Sequence, residues 1–86
     1  MSNLFNRALA NRYTRATFRN LSRHAATPRG IDTTAALRLL RRNVRDTAPG
    51  ATAATQQQIA QQLLDTWRAM QHGAPVTQWS NRHDKS

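Results

Sequence analysis

Residues 32–46, Asp-Thr-Thr-Ala-Ala-Leu-Arg-Leu-Leu-Arg-Arg-Asn-Val-Arg-Asp, decide the fold. At about 100° per residue, Arg38, Arg41, Arg42 and Arg45 fall on one narrow stripe, while Ala36, Leu37, Leu40 and Val44 fall on the opposite side. Leu39 lies on the flank between them. Asp32 stands where an N-cap belongs, its carboxylate able to accept from the first free N–H groups and to oppose the helix dipole. Pro49 and Gly50 close the segment. The pattern predicts a helix over 33–47 with a core face and a wholly basic outer face.

Working outward, Pro28 and Gly30 separate this helix from an earlier one predicted over 3–25. There Arg12, Arg15, Arg19 and Arg23 line up at steps of 3, 4 and 4, opposed by Ala10, Thr14, Phe18, Leu21 and Ala25. Phe5 and Leu9 project on the side that later carries the arginines. Either the helix bends near Asn11, or those two residues contact something other than the second helix. On the other side, 53–72 reads as a third helix, closed by Gly73 with Pro75 beyond it. Ile59, Ala60, Leu63, Trp67 and Met70 share a stripe with Leu64 beside it, most simply packing on Leu37, Leu40 and Val44. Thr55 with Gln58 has the spacing of a capping box, although Ala53 and Ala54 could carry the helix back to Thr52.

No period-2 run and no Asn-Gly or Asp-Gly turn points to a strand. The expected fold is therefore all-α: a small three-helix bundle or helical hairpin with a basic N-terminal helix. Its parts are a basic helix or arm over 1–30, a helical hairpin core over 31–75 and a flexible tail over 76–86. Eighty-six residues bury only about 60–65% of their unfolded surface, enough for one small core. Cysteine is absent, so no disulfide or thiolate metal site staples that core.

The charge is asymmetric. The chain carries 13 basic residues against 4 acidic ones. Residues 1–45 hold ten arginines and a single acid, Asp32, whereas residues 46–86 are neutral. Solvated helices normally relieve like charges with acids at i+4, and no acid precedes Asp32. An arginine fork grips phosphate oxygens in pairs and stacks on bases. Two such stripes, with Tyr13, Phe18 and several Asn and Thr donors nearby, could follow a phosphate backbone.

The expected function is thus noncatalytic binding of nucleic acid, RNA or DNA, through Arg12, Arg15, Arg19, Arg23, Arg38, Arg41, Arg42 and Arg45, in an accessory or regulatory role. The alternative is a small interaction module, an inhibitor, adaptor or subunit, docking on an acidic protein surface. Phe5, Tyr13, Trp67 and Trp79 are its candidate partner-binding aromatics. Exposed Leu39 and Phe5 on so small a core make a homodimer credible.

Catalysis is not expected. His24, His72, His83 and the four aspartates form no i, i+3 or i, i+4 pair, and no Gly-rich phosphate loop or nucleophile elbow occurs. No metal, cofactor or small-molecule substrate is expected either. No apolar run approaches the roughly 18 residues of a membrane span. With no such run and no apolar stretch of a secretory signal, the expected location is cytoplasmic; the acid-free first 31 residues look like a mitochondrial presequence, which makes the mitochondrial matrix the alternative.

One resemblance fails on spacing. Thr55 to Leu63 is similar to the first helix of a repressor-type helix-turn-helix, and Val76-Thr77-Gln78-Trp79 to the start of its second. Sixteen positions separate Ala60 from Val76, where that motif's short turn leaves about ten.

Overall fold

The computed structural model describes residues 3–71, and within them the chain is all-α. Four helices follow one another: α1 (Asn3–Ala10), α2 (Arg12–Ala25), α3 (Thr33–Thr47) and α4 (Ala53–Gln71). The helix expected over 3–25 is therefore two helices. Asn11 makes the break, with an extended backbone (φ −63°, ψ 131°) and a side chain that accepts from Tyr13 N–H. It is the N-cap of α2, at 2.7 Å. Its amide then reaches across the molecule, donating to Thr47 Oγ1 at 2.9 Å and Asp46 Oδ2 at 3.1 Å. Arg7 donates to the Thr47 carbonyl at 3.4 Å, where a cation also suits the negative end of the α3 dipole.

This corner explains why Phe5 and Leu9 follow a different face from the α2 core residues. Turned at Asn11, α1 lays Ala8 fully into the core, with Phe5 and Leu9 packed half-buried against it. The remaining caps follow the sequence closely. Asp32 accepts from Thr34 N–H and Ala35 N–H, and Thr52, rather than Thr55, caps α4, with Thr55 N–H donating to its Oγ1 at 3.1 Å. Between α2 and α3 the chain turns through Gly30, whose φ of +72° lies where an L side chain is strained.

Helices α3 and α4 pack antiparallel, as the bonds joining them show. Gln56, near the start of α4, donates to Ala48 O beyond the end of α3; Arg68, late in α4, donates to Thr33 Oγ1 at the start of α3. Leu40 and Val44 from α3 and Ala60, Leu63 and Leu64 from α4 are fully buried between the helices. The α4 face follows the expected stripe at Ala60, Leu63 and Trp67, with Leu64 also buried and Ile59 packed against the core; Met70, 48% exposed, is the exception. Trp67 is only 3% exposed, and its Nε1–H donates to Ser22 Oγ on α2 at 3.0 Å.

Polar groups join α2 to α3. Asn43 Nδ2 donates to Thr17 Oγ1 at 2.8 Å, and Thr17 Oγ1 in turn donates to Tyr13 O at 2.9 Å. Thr14 is fully buried, and its hydroxyl has no hydrogen-bond partner. Among the described residues no helix is long and apolar enough to cross a membrane.

Candidate functional site

Leu40 and Val44 fix the rotation of α3 by filling the core, and the arginines must then point outward. All four are exposed. Arg38, Arg41, Arg42 and Arg45, with Leu39 and Gln56, line one surface depression of about 290 Å³. Gln56 is held at its edge by bonds to Ala48 O and Ala51 O. Arg41 Nη1 reaches Gln57 Oε1 at 3.2 Å. Within the stripe, four like-charge pairs stand at i+3 or i+4, each costing a few tenths of a kcal/mol in water. The sum is about 1 kcal/mol at low salt, a repulsion that a bound anion reverses.

Among the described residues no carboxylate is hydrogen-bonded to these arginines, although Asp46 borders Arg42 and Arg45. Every side-chain hydrogen bond from a described arginine goes to a neutral acceptor: Thr47 O, Tyr13 Oη, Asn20 Oδ1, Gln57 Oε1 or Thr33 Oγ1. Asp32 is engaged by the first turn of α3, Asp46 by Asn11 and Asp65 by Gln61.

The four arginines of α2 are also exposed, but they do not join the α3 set. The side of α2 that borders α3 carries Tyr13, Ala16, Thr17 and Asn20, and Arg12, Arg15, Arg19 and Arg23 are not among the residues facing that space. Two basic surfaces result, separated by a neutral ridge. Arg12 lies over the Tyr13 ring, 5.1 Å from its centroid, a cation–π distance, and donates to Tyr13 Oη at 3.2 Å. That bond and the nearby Tyr13 oxygen, with Asp46 adding, raise the Arg12 pKa above its already high value. Arg23 donates to Asn20 Oδ1 at 3.3 Å.

Between α2 and α3 runs an open groove of about 710 Å³. Its α2 wall is the neutral ridge, and its α3 wall carries Leu39, Arg42, Asn43, Arg45 and Asp46. Tyr13 is 49% and Leu39 40% exposed. Arg42, Arg45 and Leu39 border both this groove and the arginine depression, so the two are continuous. Asn20, Asn43 and Asp46 belong to this site without having been singled out by the sequence. An Asn at position 43 on the apolar side of α3, opposite the arginine stripe, was the one available signal.

The four candidate aromatics separate. Tyr13 is on the surface beside the groove. Trp67 is in the core, its ring between helices and its N–H on Ser22, and is not presented to a partner. Phe5 is half-buried on the core through the turn at Asn11. Trp79 lies outside the described residues. No protein-family model, curated protein or solved structure matches this chain.

Proposed function

We propose that the protein is a noncatalytic nucleic-acid-binding protein whose principal contact is the outer face of α3. The observation that carries this reading is the convergence of Arg38, Arg41, Arg42 and Arg45 around one depression, with no acidic side chain among the described residues bonded to them. A run of regularly spaced guanidinium groups on a rigid helix matches a repeating array of phosphates. The arginines of α2 form a second, separate basic surface that strengthens attraction without reading sequence.

Fluorescence anisotropy of the full chain tests this against a single-stranded RNA, an RNA hairpin and a DNA duplex at low, physiological and high salt. The comparison variant replaces Arg38, Arg41, Arg42 and Arg45 with Gln. With about 0.7 of salt slope per phosphate contact on a single strand, the quadruple variant should flatten the logarithmic salt dependence by about 3. An unchanged slope in a variant that still melts cooperatively sinks the proposal. Binding that vanishes at physiological salt sinks it too, and directs attention to an acidic protein surface.

A further inference from the structure

The groove between α2 and α3 is more elaborate than phosphate binding requires. A solvated gap between two basic helices needs no aromatic side chain, no apolar patch and no carboxylate. This one has Tyr13 and Leu39 exposed at its walls, and Asp46 beside the arginines. An acid so placed weakens phosphate binding, but it offers an acceptor to a ligand group that donates hydrogen bonds.

Asn43 strengthens the point. The residue is only 8% exposed, and both of its hydrogen bonds, to Thr17 Oγ1 and Tyr13 O, are donated by Nδ2. Those bonds fix the amide so that Oδ1 is the atom left over, and among the described residues it accepts from no one. Asp46 is likewise anchored through Oδ2 on Asn11, leaving Oδ1 free of hydrogen bonds among the described residues. The groove therefore combines an aromatic surface, an apolar contact and two immobilised acceptor groups, continuous with a phosphate-binding depression through Leu39, Arg42 and Arg45.

We infer that this groove receives an unpaired nucleobase bearing an exocyclic amino group, stacked on the face of Tyr13 opposite Arg12, while the flanking phosphates of the same single strand lie on the α3 stripe. The inference rests on the nucleic-acid reading above and adds to it the form of the ligand. In a duplex the base is stacked on its neighbours and cannot lie on Tyr13, and the deep, narrow major groove of paired RNA keeps its amino group from side chains, which selects single strands over duplexes. A carboxylate accepts from the cytosine N4 amino group. Uracil presents a carbonyl oxygen at the same position and meets acceptor with acceptor. Stacking is tolerant of base identity, so discrimination falls to the two acceptors.

The test uses the full chain and 5′-labelled ten-nucleotide oligocytidylate and oligouridylate, with a blunt RNA duplex of equal length, by anisotropy at physiological salt. Oligocytidylate should bind at least about fivefold tighter than oligouridylate, and the duplex no tighter than oligouridylate. Tyr13→Ala should weaken oligocytidylate binding about tenfold, while Tyr13→Phe retains it. Asp46→Asn removes a charge near the phosphates, so it should tighten both strands and bring them within about twofold of each other. Equal affinity for the two strands in the unaltered protein overturns the inference, as does a preference unchanged by Asp46→Asn. If binding nevertheless depends on the α3 arginines, the proposed function stands without the base site. If neither strand nor duplex binds, both fail together.

Discussion

Replacing Asn11 with Ala separates helix propensity from tertiary structure at one position. Asn11 contributes an N-cap to α2 at 2.7 Å and two donated bonds to the end of α3, at 2.9 and 3.1 Å. Loss of the cap costs about 1 kcal/mol, and loss of each half-exposed bond about 0.5–1 kcal/mol. The sum is about 2–3 kcal/mol, a large share of the stability of a domain this small. At about 4–8 °C per kcal/mol, the midpoint of thermal unfolding should fall by roughly 10–20 °C. Ala is the better helix former by about 0.5 kcal/mol, so the far-UV helical signal at low temperature should hold or rise while stability falls. Straightening 3–25 into one helix would withdraw Ala8, Phe5 and Leu9 from the core, which is why the gain in propensity does not offset the loss. Asn11→Ser keeps an oxygen for the cap and loses the reach to α3, and should recover about 1 kcal/mol of the deficit. A midpoint within 2 °C of the unaltered protein (about 0.3–0.5 kcal/mol) would refute the view that this corner is built by Asn11.

Two further outcomes follow from the same packing. Thr14→Val removes a fully buried hydroxyl that has no partner and keeps the β-branched shape; it should stabilise by about 1 kcal/mol, and a lower urea midpoint would contradict the orphaned hydroxyl. Raising sodium chloride from about 0.01 M to 0.15 M shortens the screening length from about 30 to 8 Å and should lift the melting midpoint by about 3–6 °C through relief of like-charge repulsion. The quadruple Arg→Gln variant of α3 should lose about half of that gain, since the α2 stripe keeps its own like-charge pairs, and an equal rise in both proteins would place the repulsion elsewhere.

The helices were legible in the sequence because their determinants are local. Asp32 caps α3, Pro49 and Gly50 end it, and the opposition of Leu40 and Val44 to the arginines is visible from spacing alone; each of these holds in the structure. The break at Asn11 was signalled only by the misalignment of Phe5 and Leu9, since neither Pro nor Gly marks it. What makes it a corner is a pair of acceptors, Asp46 and Thr47, 35 and 36 positions away, and single-chain periodicity carries no such term. Met70 illustrates the same limit from the apolar side. Its spacing matches Leu63 and Trp67, yet it is exposed where they are buried; it stands in the last turn of α4, and spacing does not say how far along a helix its neighbours extend.

The candidate site divides along the same line. Periodicity finds each arginine stripe, because a stripe belongs to one helix, but it cannot say which flank of α2 meets α3. The structure answers through Asn43, which ties the Tyr13–Thr17 side of α2 to α3 and so leaves the α2 arginines off the groove. The consequence reaches function. Had the arginine flank of α2 met α3, eight guanidinium groups would have formed one broad basic face suited to any polyanion. With the neutral flank inward, the α3 stripe stands alone beside a groove of aromatic, apolar and acceptor groups, a combination that favours a ligand with bases as well as phosphates. Asp46 bears on both roles at once, since the carboxylate that anchors Asn11 is also the acid that borders the groove. In the proposed reading stability and ligand preference meet in that one side chain, so a variant at Asp46 must be judged by its melting midpoint and by its strand preference together.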